Sequence, residues 1–287
     1  MRLLVFGQSG QVATELQRAA QARGLGLTAL PRSAADLADP DACAALVAGT
    51  QADVVINAAA YTAVDRAEEE EPLATTINGT TPGAMAQAAA ARGLPFLHVS
   101  TDYVFDGSGT APWPEDAPSA PLGAYGRSKL AGEQAVMAAG GPHVILRTAW
   151  VFSAHGANFV KTMLRLAQAR DRLSVVDDQR GGPTPAAAIA DALLTIAAGF
   201  HAGRGTSGVF HFAGAPTVSW AGFAREILDR AGHDVTVTPI PTTDYPTPAQ
   251  RPANSALNCH KINEIYGIKQ PDWRIGLDAV LNELEQA

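Results

Sequence analysis

The sequence predicts an α/β protein built on a Rossmann-type, doubly wound parallel sheet. Short apolar runs alternate with segments of helical pattern through the first half of the chain, which is typical of βαβ units. The first apolar run is followed by glycines and then by a helical pattern, and this order is typical of a dinucleotide site. We predict strands at residues 1–6, 25–30, 52–57, 95–100 and 143–147.

The composition indicates a globular protein that acts on small molecules. Its 287 residues, 47% hydrophobic and 17% charged, suffice for a large core. The net charge is −7 and no basic block occurs, so we expect no nucleic-acid partner. The apolar stretch nearest to membrane length, residues 183–200, is interrupted by Asp191, so we expect no membrane partner. Cys43 and Cys259 lie far apart and are expected to be reduced thiols, as in a cytoplasmic protein.

The glycine turn after the first strand is the first candidate binding site. Gly7, Gly10 and Ala13 form a G-x-x-G-x-x-A pattern. Gly7 would allow a tight turn, Gly10 would let a pyrophosphate approach the backbone, and Ala13 is small enough for helix and strand to pack closely. The pattern therefore predicts dinucleotide binding, and the alternative is an ordinary strand-to-helix turn.

The end of the second strand bears on the choice of cofactor. In NAD-binding folds an acidic residue near this point often binds the ribose 2′-hydroxyl. Here Arg32 stands at the tip, and a guanidinium suits a 2′-phosphate. We therefore predict NADPH, with NADH as second choice, and the alternative is a solvated surface arginine. Asp36 and Leu37 resemble a further strand end that would meet the adenine ring.

Tyr125 and Lys129 form the candidate catalytic pair. They are four residues apart in a segment rich in helix formers, so both side chains would lie on one face of a helix. Because a neighbouring ammonium favours the phenolate, we expect Lys129 to lower the pKa of Tyr125 toward the working pH. The alternative is an exposed helical pair without a function.

The second half of the chain departs from simple alternation. We predict helices at 158–169, 186–199 and 217–232 (capped by Ser219), a strand at 208–212 and a polar loop at 177–185. Residues 242–252 are rich in proline and are expected to form an extended loop over the substrate. There Arg251 would meet a diphosphate, and the alternative is an unpaired surface arginine.

These segments divide the chain into two predicted domains. An NADP-binding Rossmann domain would comprise residues 1–150 plus about 186–213. A smaller, mixed substrate-binding domain would comprise residues 151–185 and 214–287.

Taken together, these features resemble the extended short-chain dehydrogenase/reductase family. The resemblance covers nearly the whole chain and rests on the glycine turn, on Asn-Ala-Ala at 57–59, on Ser100-Thr101, and on Tyr125-x-x-x-Lys129. Within the family the chain is most similar to reductases of nucleotide sugars. That similarity lies in Gly-Gln-Val at 10–12, Asn-Ala-Ala-Ala-Tyr-Thr-Ala-Val-Asp at 57–65, Ser-Thr-Asp-Tyr-Val-Phe at 100–105, Thr-Ala-Trp-Val-Phe at 148–152, Gly-Pro-Thr at 182–184 and Tyr-Pro-Thr-Pro at 245–248.

The resemblance implies reduction of the 4-keto group of a nucleotide-linked 6-deoxy sugar by NADPH. It implies Tyr125 as proton donor, Lys129 as the residue that holds the nicotinamide ribose, and Thr101 as hydrogen-bond partner of the substrate carbonyl. With the predictions above, the cofactor-binding residues are Gly7, Gly10, Gln11, Val12, Arg32, Asp36, Leu37, Ala60, Tyr61, Thr62, Val99, Tyr125 and Lys129. The substrate-binding residues are Thr62, Thr101, Asp102, Tyr125, Trp150 and Arg251. The alternatives are core packing for Trp150 and a helix cap for Thr101.

Two other functions stay open. The first is a nucleotide-sugar epimerase or dehydratase of the same fold, although a dehydratase would carry extra acid and base residues where this chain has Asp102 and Tyr103. The second is a non-catalytic regulatory subunit that binds NADP without turnover. The presence of Tyr125, Lys129 and Thr101 argues against it.

The resemblance also raises the question of a metal. Some members of the family form a dimer around Mg²⁺ held by glutamates of both subunits. Matching positions here are Glu15 and Glu283, but the third is Ala187. Because Mg²⁺ requires oxygen ligands, we expect that catalysis does not need it and that the chain is a monomer or a weak homodimer. The alternative for both glutamates is an ordinary solvated helix residue.

Overall fold

The computed structural model describes residues 1–286. As predicted, the first half of the chain alternates between strands and helices. Its elements are β1 (Arg2–Phe6), α1 (Gln11–Ala22), β2 (Gly26–Leu30), α2 (Pro40–Gly49), β3 (Val54–Asn57), α3 (Val64–Ala67), α4 (Glu71–Thr75), α5 (Thr81–Ala90), β4 (Phe96–Thr101), α6 (Ala124–Ala138) and β5 (His143–Thr148). A π-helical turn at Thr76–Thr80 leads into α5, and a 3-10 turn at Asp102–Val104 follows β4.

The second half contains more and shorter strands than predicted. Its elements are β6 (Val151–Phe152), α7 (Phe159–Ala167), β7 (Arg172–Val176), β8 (Arg180–Gly181), β9 (Thr184–Pro185), α8 (Ala186–His201), β10 (Gly208–His211), β11 (Val218–Ser219), α9 (Trp220–Arg230), β12 (Thr236–Ile240), β13 (Asn254–Ser255), α10 (His260–Tyr266) and α11 (Trp273–Glu285). The predicted loop at 177–185 is therefore wrong in part, because it holds β8 and β9. The predicted Ser219 cap is present, since its hydroxyl accepts from the Gly222 N–H.

Six strands form one parallel sheet in the order β10-β5-β4-β3-β1-β2. Successive side chains of β1 enter different cores, because they point to opposite faces of the sheet. Leu3 and Val5 pack with α1 and α8, whereas Leu4 and Phe6 pack with α2, α5 and α6. The sheet is doubly wound, which confirms the predicted fold class. The strand order reverses at β1 and β3, and such folds bind ligands at the carboxyl ends of the strands at this point.

A third core lies in the second half of the chain. It is formed by α7, β7, α9 and α11 and includes Phe223, Ile227 and Trp273. The parallel ribbon β7–β12, the pair β6–β9 and the three-stranded sheet β11-β8-β13 accompany it. Leu257 and Ile262, in contrast, pack in the sheet core with α8. The division into two domains stays a prediction. Within residues 1–286, no helix combines the length and the apolar character that a membrane span needs.

The two cysteines are buried in different cores. Cys43 packs with α2 and α5, and Cys259 packs beside α8, both as free thiols. Burial raises the pKa of Cys43 to about 11 and that of Cys259 to about 12. Both therefore stay protonated at neutral pH.

An ion pair inside the protein attaches α6 to the sheet. Arg147 of β5 places Nη2 2.6 Å from Oε2 of Glu133 of α6, and both side chains are almost fully buried. The Ser100 hydroxyl of β4 donates to the other oxygen of Glu133 at 2.6 Å. Three adjoining elements thus share one carboxylate.

Gly132 lets α6 approach the π-helical turn on its other side. A Cβ at Gly132 would lie 2.0 Å from the carbonyl oxygen of Asn78, which is far inside van der Waals contact. The Asn78 side chain accepts from the Tyr61 N–H, donates to the Tyr61 carbonyl and donates to the Ser128 hydroxyl. The close approach therefore holds the chain that follows β3.

Gly132→Ala is expected to lower the free energy of unfolding by about 1–3 kcal/mol, the usual cost of overpacking. The matched control is Gly49→Ala in α2, where no atom lies within 4 Å of an added Cβ and alanine is the better helix former. Urea unfolding of both variants measures the difference. Equal stability of the two variants would contradict the role of Gly132.

Candidate active site

A cavity of about 770 Å³ opens at the carboxyl ends of the sheet strands. This is the position where doubly wound folds bind ligands. It brings together most of the predicted site residues, namely Gly7, Gly10, Gln11, Val12, Arg32, Asp36, Leu37, Ala60, Thr62, Val99, Thr101, Asp102, Tyr125, Lys129 and Trp150.

The turn between β1 and α1 forms an anion cradle at one end of the cavity. Gly7 has a φ of 108°, which favours glycine, and a Cβ there would contact the Cβ of Ala13 at 3.4 Å. Gly10 caps α1 without a side chain, and nothing lies within 4 Å of an added Cβ at this position. Unpaired N–H groups at a helix N-terminus bind phosphate oxygens. The cradle therefore fits the diphosphate of a dinucleotide.

Arg32, Asp36 and Leu37 lie along the same end of the cavity, beyond β2. The Arg32 side chain is 78% exposed and its Nε lies 3.6 Å from Oδ1 of Asp36. The prediction of a strand end at Asp36 and Leu37 is wrong, because these residues lie in a turn. There the Asp36 carboxylate accepts from the Ala38 N–H, and the Leu37 carbonyl accepts from the Thr81 hydroxyl.

Tyr125 and Lys129 lie one turn apart in α6, and both face the cavity. The expected decrease in the pKa of Tyr125 is wrong. Burial raises the pKa of Tyr125 to about 12, although a hydrogen bond with Thr101 favours the phenolate. Lys129 does not offset this effect, because its Nζ donates to the Val99 carbonyl oxygen at 2.7 Å and lies 3.2 Å from Nε2 of His98. Burial lowers the pKa of Lys129 to about 8.

Thr101 has a structural partner as well as a place in the cavity. Its hydroxyl accepts from the Tyr103 N–H at 3.2 Å, which caps the 3-10 turn, and it donates to Oδ1 of Asp102 at 3.1 Å. Thr101 therefore caps the 3-10 turn, as the alternative interpretation predicted, and it also lines the cavity beside Tyr125.

Two buried polar atoms at the substrate end of the cavity are unsatisfied. Within residues 1–286, Oδ2 of Asp102 and Oγ1 of Thr148 have no hydrogen-bond partner. Burial raises the pKa of Asp102 to about 6. Because buried polar groups are nearly always hydrogen-bonded, these atoms fit a polar ligand such as a sugar that brings the missing donors and acceptors.

Trp150 lines the same end of the cavity from the second half of the chain. It has a φ of 50°, and its ring stacks on Trp220 with centroids 3.5 Å apart. Its ring also lies against Gly181, where a Cβ would be 2.6 Å away. The side chain is thus packed and is also available to a ligand, so core packing describes only part of its role.

Tyr61 and Arg251 are not among the residues that line the cavity. The Tyr61 hydroxyl donates to Glu70 at 2.7 Å. Arg251 donates to Asp65 at 2.8 Å and to the Thr247 hydroxyl at 2.5 Å, so the alternative of an unpaired arginine is wrong. Residues 242–252, all of which the structure describes, form a 3-10 turn and irregular chain outside the cavity lining. Their contact with a ligand stays a prediction.

Gln11 connects the anion cradle to the loop before α7. Its Oε1 accepts from the Ser153 hydroxyl at 3.1 Å and from Nδ2 of Asn158 at 3.0 Å. This loop brings Gly156 and Ala157 into the cavity lining, which the sequence analysis missed. It also missed Thr148, although that residue directly precedes Ala149 and Trp150 in a segment already singled out.

Glu15, His155 and Glu283 lie close enough together to hold a metal ion. However, the guanidinium of Arg18 lies among them. Its Nη1 is 2.8 Å from Glu283, 3.4 Å from Glu15 and 2.9 Å from Nε2 of His155. One guanidinium thus already pairs with both carboxylates within one chain. The expectation that Mg²⁺ is not required stays a prediction.

Because a phenol that keeps its proton faces a cavity suited to a dinucleotide, the fold and the site define an oxidoreductase of the extended short-chain dehydrogenase/reductase class. Comparison with known proteins agrees. Residues 1–286 match the family described as RmlD substrate binding domain. The chain therefore belongs to the dTDP-4-dehydrorhamnose reductase family, and it is an NAD(P)H-dependent oxidoreductase.

Individual relatives cover the chain from end to end. A dTDP-4-dehydrorhamnose reductase from Burkholderia thailandensis is 45% identical over 296 residues, with 99% of each chain covered. A crystal structure of the same kind of reductase from Clostridium acetobutylicum is 35% identical, with a TM-score of 0.93 over 99% of this chain and 100% of that one. A third, from Bacillus anthracis in complex with NADP, is 32% identical, with a TM-score of 0.92 over 98% of this chain and 99% of that one.

Arg32→Ala should weaken the binding of NADPH by roughly tenfold and leave that of NADH nearly unchanged, because only NADPH carries the 2′-phosphate. Fluorescence titration with each cofactor measures the two dissociation constants. Arg23→Ala is the control, since that side chain is also exposed but pairs with Asp191 on α8. If Arg32→Ala weakens both cofactors equally, or neither, the preference lies elsewhere.

Removal of Mg²⁺ should change neither activity nor assembly, because Arg18 already forms ion pairs with both Glu15 and Glu283. Sedimentation velocity and activity, measured first with Mg²⁺ and then with EDTA, test this expectation. A tight dimer that dissociates on chelation, with activity lost alongside, would show that the metal is needed.

Proposed function

We propose that this protein reduces the 4-keto group of dTDP-4-dehydrorhamnose (dTDP-4-dehydro-6-deoxy-L-mannose) with NADPH to give dTDP-L-rhamnose, the last step of dTDP-rhamnose biosynthesis. The observation that carries the proposal is the half-buried Tyr125 phenol, which lines the cavity beside Thr101 and Lys129. The names of full-length relatives supply the sugar.

In this proposal, the part of the cavity next to the glycine turn binds the cofactor. The glycine cradle with Gly10, Gln11 and Val12 holds the cofactor diphosphate, Arg32 meets the 2′-phosphate, and Lys129 holds the nicotinamide ribose. The adenine and the rest of the cofactor would contact Gly7, Asp36, Leu37, Ala60, Tyr61, Thr62 and Val99. When bound, NADPH supplies the hydride.

The protein's own part in the reaction is to bind the ketone and to deliver a proton. With a pKa of about 12, Tyr125 carries its proton throughout the neutral pH range. Tyr125 donates a hydrogen bond to the carbonyl oxygen, and the Thr101 hydroxyl donates a second one after it turns away from Oδ1 of Asp102, to which it donates in the structure. Both bonds stabilise the negative charge that grows on that oxygen. Tyr125 then gives up its proton as the general acid.

We assign the remaining substrate contacts to side chains that line the cavity and have an unsatisfied polar atom or an exposed surface there. Oδ2 of Asp102, which has no partner within residues 1–286, accepts from a sugar hydroxyl. Trp150 and Thr62 flank the sugar. Arg251 forms an ion pair with Asp65. Arg251 would therefore have to leave Asp65 in order to bind the substrate diphosphate.

The alternative functions have less support. An epimerase or dehydratase would need a further acid and base pair beside Thr101, whereas the residue after Asp102 is a tyrosine, whose pKa burial raises. A regulatory subunit that binds NADP without turnover would not need a protonated phenol at the cavity. A small-molecule substrate and a monomer or weak homodimer in the cytoplasm complete the proposal.

The test is the NADPH absorbance change with dTDP-4-dehydrorhamnose and with its UDP counterpart as substrates. We expect turnover of the dTDP sugar, and cofactor binding without turnover of either sugar would support the regulatory alternative instead. Tyr125→Phe should lower kcat by about 100-fold or more, the range of general acid catalysis, with cofactor binding nearly kept.

The matched control for Tyr125→Phe is Tyr266→Phe. It removes a phenol that bonds to the Thr206 backbone, outside the cavity lining, and it should keep full activity. If Tyr125→Phe stays within a few-fold of the wild type, Tyr125 is not the proton donor.

A further inference from the structure

The loop between β6 and α7, residues 153–158, lies against the glycine turn, and the proposed function does not use it. Gly156 and Ala157 of this loop line the cavity together with Gln11 of the glycine turn. A Cβ at Gly156 would lie 3.5 Å from Cγ of Gln11, which is ordinary van der Waals contact. The second half of the chain therefore touches the turn that we expect to bind the cofactor diphosphate.

Side-chain hydrogen bonds attach this loop to Gln11, and a backbone group sets their direction. The Lys161 N–H only donates, so Oδ1 of Asn158 accepts from it and Nδ2 turns toward Gln11. Because an amide NH₂ also only donates, Oε1 of Gln11 faces Nδ2 at 3.0 Å, and it accepts from the Ser153 hydroxyl at 3.1 Å as well. Nε2 of Gln11 then faces the Val151 carbonyl oxygen, at 3.5 Å. Both ends of the Gln11 amide are thus engaged by the second half of the chain.

The loop brings unpaired backbone donors to the cavity. The Ser153 carbonyl oxygen accepts from Nδ2 of Asn158 at 2.8 Å, and neither residue lines the cavity. Gly156 and Ala157 are exposed, and within residues 1–286 their N–H groups have no hydrogen-bond acceptor. Unpaired backbone N–H groups that adjoin a helix N-terminus bind phosphate oxygens. This part of the cavity wall therefore suits an anion.

We propose that residues 153–158 form the second wall of the cofactor diphosphate site, in which the N–H groups of Gly156 and Ala157 bind phosphate oxygens. Asn158 is the positioning residue of this wall, because it contacts both Gln11 and the loop without lining the cavity. Donors on two sides bind a diphosphate more tightly than the glycine turn alone, since each charge-assisted hydrogen bond adds to the affinity.

This inference rests on the proposed function, which places the cofactor diphosphate at the glycine turn. The nucleotide sugar carries a diphosphate too, and backbone N–H groups would bind either one. The contact between Gly156 and Gln11 favours the cofactor, because Gln11 begins the helix whose N-terminus forms the anion cradle. The experiment therefore has to distinguish the two diphosphates.

Hydrogen exchange in the wild type tests the contact itself. NMR of ¹⁵N-labelled protein follows the exchange of the Gly156 and Ala157 amides with NADPH, with adenosine 2′-monophosphate or with dTDP. We expect NADPH to slow this exchange by about tenfold, the equivalent of one hydrogen bond. Adenosine 2′-monophosphate lacks a diphosphate, and dTDP carries that of the nucleotide sugar, so neither should slow it. No effect of NADPH, or an equal effect of either other ligand, overturns the inference.

Asn158→Ser tests the positioning role. Serine is as good a helix cap as asparagine and keeps an acceptor for the Lys161 N–H, but it is too short to hold Gln11. The dissociation constant of NADPH should therefore rise by about tenfold, while that of adenosine 2′-monophosphate should not change. Isothermal titration calorimetry measures both constants.

Asn258→Ser is the matched control for Asn158→Ser. Oδ1 of Asn258 likewise accepts from a backbone N–H, that of His260 at 2.9 Å, but outside the cavity lining. This variant should bind NADPH as the wild type does. Unchanged NADPH affinity in Asn158→Ser, or an equal loss of affinity for adenosine 2′-monophosphate, overturns the role of Asn158.

Turnover is measured separately, so the two proposals fail in different ways. An enzyme that reduces the sugar with NADPH while the Gly156 and Ala157 amides exchange unchanged overturns this inference and leaves the proposed function standing. Slowed exchange with NADPH in a protein that reduces neither sugar supports the second wall and overturns the proposed function alone.

Discussion

Helix α6, which carries Tyr125 and Lys129, is attached to the sheet by the ion pair between Glu133 of α6 and Arg147 of β5. Both side chains are withdrawn from water, so the removal of either partner would leave an uncompensated charge, at a cost of about 3–5 kcal/mol. Lys129 lies one turn and Tyr125 two turns before Glu133 along the same helix. The position of both residues relative to the cavity therefore depends on this ion pair. On the opposite side of the helix, Gly132 packs closely against the Asn78 backbone.

The burial of these side chains explains the direction of their pKa shifts. Burial raises the pKa values of Tyr125 and Asp102 and lowers that of Lys129. All three shifts favour the uncharged form, because a low dielectric penalises charge of either sign. At neutral pH only Tyr125 is fully uncharged, because Lys129 with a pKa of about 8 and Asp102 with a pKa of about 6 stay largely ionised. The groups suited to an anionic ligand, the N-terminus of α1 and Arg32, line another part of the same cavity.

The sequence was sufficient to predict the sheet, the glycine turn and the Tyr125–Lys129 pair, because each rests on local spacing. It was not sufficient to predict the pKa of Tyr125, which depends on how deeply other elements bury α6. The ribbon β7–β12 was missed because its strands are only five residues long and pair over a long sequence distance. The contacts of His98 with Asn57 and Lys129 were missed for another reason: within an apolar strand His98 resembles a core residue, and both partners come from other elements.

Cys43 and Cys259 have a practical consequence for later work on the molecule. Thiol reagents attack the thiolate, and a buried group with a pKa of about 11 or 12 supplies almost none at neutral pH. Neither residue offers a maleimide a point of attack in the folded state. A single cysteine introduced on the surface would therefore take up a dye selectively in the otherwise natural sequence, so two such positions would suffice for distance measurements across the cavity.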